Sequence, residues 1–140
     1  YANLYLGHIY FDTQRYEQAL SLFAKVDANY FNERIQLWRN LKNAELILCC
    51  RMYLYFDEVT LADVDELCVL YETTNSVDSI DVPVPQEILA CVARLFENNP
   101  NKMTPVAFRV IELIRRIEFD DARGLQKDLL YLQAVLAEQN

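Results

Sequence analysis

The sequence predicts an all-α fold, and three observations lead to that prediction. The chain of 140 residues contains two Gly and four Pro, too few for the many tight turns of an all-β protein. Hydrophobic residues make up 53% of the chain, which is enough to build a buried core. These residues recur at intervals of three and four, the spacing that places side chains on one face of an α-helix. At this length we expect one domain, residues 1–140.

Residues 1–27 are predicted to form a helical hairpin. Its two helices cover about residues 2–12 and 16–27, with a polar turn between them. Three apolar side chains are expected on the inner face of the first helix: Leu6, Ile9 and Tyr10. Four follow the amphipathic spacing on the second helix: Ala19, Leu22, Phe23 and Val26. Gly7 has no Cβ atom, so the two helices can approach closely there, and large rings fill the remaining space.

This hairpin resembles a tetratricopeptide repeat, a motif with an aromatic residue, Leu-Gly, Tyr, Ala, Phe, Ala and Pro at fixed spacing. The match is clear over residues 4–26, where six positions carry the repeat signature: Leu6, Gly7, Tyr10, Ala19, Phe23 and Val26. The sequence departs from the pattern at Asn3 in place of the first aromatic residue, at Val26 in place of the last Ala, and at Phe31 in place of Pro. The resemblance implies a right-handed α-solenoid, in which helical hairpins stack side by side.

A long helix followed by a second hairpin is predicted over residues 33–73. The tripeptide YFD at residues 55–57 repeats the one at residues 10–12, 45 residues earlier, and the apolar residues that follow keep the register of the first hairpin. We therefore expect a degenerate second repeat near residues 45–70. The apolar residues of the long helix, about residues 33–56, spread beyond one face, so we expect this helix to be covered on two sides.

Local signals predict where the remaining helices start and stop. Thr60, followed by Asp63 three residues later, forms a capping box at the start of a helix. After a polar break at residues 73–84, further helical hairpins are predicted over residues 85–138. Four signals mark their ends: Pro85 as a first residue, Asn98-Asn99-Pro100 as a stop, Thr104-Pro105 as a restart and Phe119-Asp120-Asp121 as a corner. The whole chain should contain about seven antiparallel helices.

The resemblance also implies where a partner would bind. In tetratricopeptide repeats the first helix of each pair lines a concave groove, which receives a peptide or a helix of another protein. Six residues occupy the corresponding positions in the two repeats: Leu4, His8, Phe11, Cys49, Tyr53 and Phe56. We expect them to line a groove with aromatic anchors for apolar segments. The alternative is that the same side chains pack against adjacent helices of the chain itself.

No arrangement of residues in the sequence predicts catalysis or metal binding. His8 is the only His, no glycine-rich phosphate loop is present, and carboxylates such as Asp63 and Asp65 suit helix starts and the surface. The four cysteines lack the CxxC spacing of zinc sites: Cys49, Cys50, Cys68 and Cys91. We expect no metal, no cofactor and buried reduced thiols, which indicate an intracellular setting, cytoplasmic or nuclear.

Charge restricts the class of partner. The net charge is −8 and the pI is near 4.6, so phosphate backbones would be repelled and we expect no direct binding of nucleic acid. The acidic chain favours basic or apolar segments of other proteins. No apolar run approaches the ~20 residues that cross a bilayer, so we expect no insertion into a membrane.

Together these features predict a non-catalytic scaffold for protein–protein interaction, a segment of a subunit in a multiprotein complex. The chain opens on Tyr1 inside a helical pattern and without Met, so we expect a fragment of a larger protein. Two alternatives stay open. One is a self-association module that forms a homo-oligomer, and the other is a helical catalytic or cation-binding domain that uses its Asp and Glu clusters.

Overall fold

The computed structural model describes residues 2–26, 37–76, 82–117 and 125–138. Within these ranges the chain forms seven α-helices and one 3₁₀ turn, with no β-strand, which confirms the predicted all-α class. The helices are α1 Ala2–Asp12, α2 Tyr16–Ala24, α3 Leu37–Leu54, α4 Leu61–Asn75, α5 Gln86–Phe96, α6 Pro100–Arg116 and α7 Gln126–Glu138. The 3₁₀ turn, Phe56–Glu58, lies between α3 and α4.

Several helix ends follow the local signals in the sequence. α1 has the predicted bounds, and α4 begins directly after Thr60. The backbone N–H of Thr60 donates to the carboxylate of Asp63 at 2.9 Å, which is one half of the predicted capping box. Four predicted features lie wholly or partly outside the described residues: residue 27 of the second helix, residues 33–36 of the long helix, residues 77–81 of the polar break and the corner at residues 119–121.

α6 begins earlier than the sequence predicts. The restart expected at Thr104-Pro105 is wrong, because the helix starts at Pro100 and runs through Pro105. Proline suits the first position of a helix, since its missing N–H has no intrahelical acceptor there. Pro105 removes the hydrogen bond to the carbonyl of Asn101, but both residues are exposed, so water can bond to that carbonyl instead. The stop predicted at Asn98-Asn99-Pro100 is therefore a short connection between α5 and α6.

The predicted inner face of α1 is correct for Gly7 and Tyr10 and wrong for Leu6 and Ile9. Leu6 and Ile9, expected inside, are 41% and 45% exposed, whereas Leu4 and Gly7 are buried. The cause is the ring of Phe23 on α2, because a Cβ atom added to Gly7 would lie 2.5 Å from Cε1 of that ring. Successive residues lie about 100° apart around a helix, so turning Gly7 toward α2 turns Leu6 and Ile9 away.

Two clusters of buried apolar side chains hold the helices together, and α3 contributes to both. The smaller cluster joins α1, α2 and α3: Leu4, Ala19, Phe23, Leu46 and Cys50. The larger cluster extends from α3 to α7 and includes Cys49 and Met52 on another side of α3. The long helix is therefore covered on two sides, as predicted. α3 also contacts α4 and α5, α4 contacts α6, and α5 contacts α6 and α7.

A buried polar network connects α3, α4 and α5. The carboxylate of Glu45, which is 0% exposed, accepts hydrogen bonds from the Tyr71 hydroxyl at 2.9 Å and from the backbone N–H of Ile88 at 3.0 Å. Lys42 Nζ donates to three acceptors: Glu45 at 2.8 Å, Glu87 at 2.6 Å and the carbonyl of Val84 at 2.7 Å. Burial alone would lower the pKa of Lys42, but the two carboxylates raise it, so Lys42 stays charged.

Candidate functional site

The structure separates the six residues that the sequence places in a groove. Leu4 and Cys49 are 6% and 0% exposed and belong to the two core clusters, so neither can contact a partner. This differs from the prediction, because the sides of α1 and α3 that carry these residues face other helices of the chain. The other four are partly exposed: His8, Phe11, Tyr53 and Phe56.

Phe11 and Tyr53 meet at the aromatic cleft, which we define as Phe11, Tyr16, Tyr53 and Arg94. Tyr16 stacks on Tyr53 with ring centroids 4.5 Å apart, and Phe11 meets Tyr16 edge-on at 5.5 Å. Tyr53, which lies beside the guanidinium, raises the pKa of Arg94, and Tyr16 adds to the effect. The hollow that remains has a volume of about 160 Å³, which is too small for a peptide. Tyr16 and Arg94 thus fill the space in which a groove is predicted.

His8 and Phe56 lie apart from the aromatic cleft and interact within the chain. The His8 ring meets the Phe23 ring edge-on, with centroids 5.8 Å apart. Burial lowers the pKa of His8, and this effect outweighs the nearby Glu87 carboxylate, which raises it. Lys102 Nζ lies 4.2 Å from the centroid of the Phe56 ring, a cation–π contact.

A larger opening lies between α3 and α4, and we call it the α3/α4 groove. Its volume is about 490 Å³, within the range of ligand-binding sites. The floor and walls are apolar: Ala44, Ile47 and Leu48 on α3, and Leu67, Val69 and Leu70 on α4. Four polar residues line the edge: Arg51, Asp63, Glu66 and Thr73. Val69 and Leu70 are 47% and 40% exposed, so part of this apolar surface remains in contact with water.

The charges at the edge of the groove do not balance. Arg51 Nη2 lies 3.8 Å from the carboxylate of Asp63. That carboxylate also accepts a hydrogen bond from the Thr60 backbone, which lowers the pKa of Asp63 and keeps it ionised. Glu66 is exposed and has no ion pair or hydrogen bond within the described part of the chain. The edge of the groove therefore carries an unpaired carboxylate, that of Glu66.

A second hollow, of about 620 Å³, lies between α4 and α6 and is crossed by ion pairs. Arg109 of α6 reaches two carboxylates of α4, with Nε 2.6 Å from Asp65 and Nη2 2.8 Å from Glu72. Phe108 and Leu61, which are 51% and 44% exposed, line this hollow. The ion pairs use the Asp65 carboxylate and two nitrogens of Arg109, Nε and Nη2, whereas Nη1 of Arg109 is buried without a hydrogen-bond partner among the described residues.

Sequence reasoning missed the α3/α4 groove, although a signal for it is present. The buried stripe of α4 follows helical spacing: Val64, Leu67, Cys68 and Tyr71. Val69 and Leu70 fall outside that stripe, at positions where an amphipathic helix carries polar residues. Apolar residues on a second face of a helix indicate a contact beyond the core.

The cysteines and the possible metal ligands complete the survey of the described residues. All four cysteines are free and buried. Burial raises the pKa of Cys50 to about 12 and that of Cys68 to about 11, so these two thiols stay protonated and unreactive. In the ranges that the structure describes, no three His, Cys, Asp or Glu side chains come together as metal ligands would.

Among the helices of the described ranges, none is both long enough and apolar enough to span a bilayer. No family model matches the chain, and neither does any characterised protein or solved structure.

Proposed function

We propose that the chain is a non-catalytic scaffold for protein–protein interaction, a segment of a subunit in a multiprotein complex. The α3/α4 groove carries this proposal, because its apolar floor and walls are open and Val69 and Leu70 stay exposed. A concave apolar surface bordered by a few polar groups is the usual form of a binding site. The polar residues of the groove stand at its edge, an arrangement typical of protein interfaces.

We also propose that the helices stack as a short right-handed α-solenoid similar to tetratricopeptide repeats. The contacts between helices support this arrangement, since α1 contacts α3, α3 contacts α5 and α5 contacts α7. Hairpin partners contact each other as well, α1 with α2, α3 with α4 and α5 with α6. Two layers of helices connected in this way present the extended surfaces that solenoid proteins use for binding.

The partner in this proposal is an apolar or basic segment of another protein. The net charge of −8 and the free Glu66 carboxylate attract positive charge, and the same net charge repels nucleic acid. Four buried free thiols suit a reducing compartment, so we place the protein in the cytoplasm or the nucleus.

Self-association is a second candidate function, favoured by a separate surface. Tyr5, Leu6 and Ile9 on α1 are 65%, 41% and 45% exposed and share one side of the helix. Two copies that bury this side against each other would form a homodimer. Sedimentation velocity over a range of concentrations measures it, and monomeric behaviour at every concentration would remove this candidate.

Affinity purification of the full-length parent protein, with mass spectrometry of the proteins it retains, tests the scaffold proposal. We expect Leu70→Lys, which places a charge in the groove, to lose specific partners. Phe108→Ser is the control, because Phe108 is also apolar and exposed but lies on α6 outside the groove. If both variants retain the same proteins as the unmodified chain, the α3/α4 groove is not the binding surface.

A further inference from the structure

We infer that the α3/α4 groove receives an amphipathic α-helix whose apolar face fills the groove and whose flank carries a Lys or Arg beside Glu66. This inference rests on the proposed function and adds the secondary structure and the charge of the partner. Three observations carry the inference. The backbone groups of the groove walls are already hydrogen-bonded within their helices, the lining residues follow helical spacing, and the carboxylate at the edge is unpaired.

The walls of the groove offer no backbone partner to an extended peptide. Residues 44–51 of α3 and 63–73 of α4 lie inside helices, where backbone N–H and C=O groups bond to one another. A strand buried between these helices would leave its own backbone groups without partners, which is unfavourable in an apolar site. A helix satisfies its own backbone groups and needs only apolar contacts from the groove.

The lining residues follow helical spacing on both sides of the groove. Those on α3 lie at i, i+3, i+4 and i+7: Ala44, Ile47, Leu48 and Arg51. Five of the six on α4 form a matching row, Asp63, Glu66, Leu67, Leu70 and Thr73, and Val69 lies beside it. Two such rows are ridges with a channel between them, and the side-chain ridge of a third helix fits that channel. The row on α4 has a length of about 15 Å at 1.5 Å per residue, which accommodates about three turns of a bound helix.

Glu66 decides the sign of the charge on the partner. Asp63 is already paired with Arg51 at 3.8 Å, whereas Glu66 has no ion pair among the residues that the structure describes. A Lys or Arg on the flank of the helix would pair with Glu66, and the net charge of −8 adds attraction at long range. An acidic flank would place like charges together and be rejected.

Selection of displayed peptides tests the inference. A library of random peptides of about 15 residues, long enough for about four turns of helix, is selected against the 140-residue chain. We expect the selected peptides to carry apolar residues at i, i+3, i+4 and i+7 with Lys or Arg on the flank, and to become helical on binding by circular dichroism. We expect Leu70→Lys to weaken their binding at least about tenfold, Glu66→Lys to weaken it about two- to fivefold, and Phe108→Ser to leave it unchanged.

The outcomes separate this inference from the proposed function. Val69→Lys, at a position 47% exposed, is the second groove variant if Leu70→Lys fails to fold. The selected peptides could instead contain alternating apolar residues or Pro, which do not suit a helix. If both groove variants abolish the binding of such peptides, the inference of a helical partner is overturned and the scaffold proposal stays in place. Selection of no peptide, or of peptides that both variants still bind, would overturn both. If the chain self-associates and a groove variant abolishes this self-association, the occupant of the groove is a second copy of the chain. That result would overturn the inference of a basic helix from another protein.

Discussion

The N-terminal and central regions of the molecule bring helices together by different chemistry. Between α1 and α2 the contact depends on shape, because Gly7 leaves room and the fully buried Phe23 ring occupies it. Between α3, α4 and α5 a buried charge is added to the apolar contacts, because buried Glu45 collects three donors: Lys42, Tyr71 and Ile88. The first contact needs close van der Waals fit, and the second needs every buried polar group to keep its partner.

This difference implies different responses to substitution. Around an apolar contact the neighbouring side chains can shift in part, which limits the loss of stability. A buried ion pair loses more when one member is removed, because the other charge stays buried without a partner. The central region should therefore be more sensitive to a single substitution than the N-terminal region.

The largest effect is expected for Glu45→Ala. The substitution leaves the Tyr71 hydroxyl and the Ile88 N–H without their acceptor, whereas Lys42 keeps Glu87 and the Val84 carbonyl. We expect the free energy of unfolding to fall by about 2–6 kcal/mol in a denaturant titration, about 1–3 kcal/mol for each buried group left without a partner. Glu87→Gln is the matched control, since its side chain is 24% exposed and its pair with Lys42 should contribute at most about 1 kcal/mol. Equal losses in the two variants would show that burial does not distinguish these carboxylates.

A smaller loss is expected for Gly7→Leu in the N-terminal region. The new Cβ atom would lie 2.5 Å from Cε1 of Phe23, a ring that is 0% exposed and has little room to move. We expect the free energy of unfolding to fall by about 1–3 kcal/mol. Tyr5→Leu on the same helix is the control, because Tyr5 is 65% exposed and its replacement should change stability by less than about 0.5 kcal/mol. Unchanged melting of Gly7→Leu would contradict the close approach of the two helices.

Hydrogen exchange shows whether the two regions open separately. In Gly7→Leu we expect faster amide exchange in α1 and α2 while α6 and α7 keep their protection, since in the described ranges this hairpin contacts α3 and, through Tyr16 and Arg94, α5. In Glu45→Ala we expect faster exchange in α3, α4 and α5 together, because Glu45 links them. Faster exchange in every helix of Gly7→Leu would mean that the molecule opens as one unit.

The same comparison explains which features could be predicted from the sequence. The bounds of α1 and the capping box at Thr60 depend on residues close together in the chain, and local spacing predicts them. The Glu45 network joins α3 to Tyr71 and Ile88 across 26 and 43 residues, and no local spacing relates these positions. Leu6 and Ile9 were wrongly predicted to lie inside for a related reason, since the Phe23 ring opposite α1 decides which side of the helix is buried.

The candidate site was harder to predict than the fold. Phe11 and Tyr53 do lie together, but Tyr16 and Arg94 occupy the space between them, and the sequence pattern contains no information on how rings fill a cleft. The α3/α4 groove exists because no helix of the described ranges covers Leu70, which is a property of the assembled helices. The sequence shows the second apolar face of α4, but it does not show how deep the groove is.

The smallest expected effect on stability comes from the protonation of His8, which lies where the two regions meet. Its ring packs on Phe23, and Glu87 and Lys42 of the central network act on its charge. Burial lowers the pKa of His8 below its ordinary value of 6.5. Between that lowered pKa and 6.5, the unfolded chain binds a proton that the folded protein does not. The free energy of unfolding should therefore be highest above pH 6.5 and should fall as the pH decreases through the folded-state pKa.

His8 is the only His in the chain. If stability falls between about pH 7 and pH 5 and His8→Asn abolishes this fall, the fall is caused by protonation of His8. The variants of the two regions should change this dependence in opposite directions. Glu87→Gln should steepen it, because a carboxylate that raises the pKa of His8 is lost. Gly7→Leu should weaken it, because a displaced Phe23 ring leaves His8 more exposed to water. A dependence that survives in His8→Asn would belong to carboxylates, and the burial of His8 would then not be its cause.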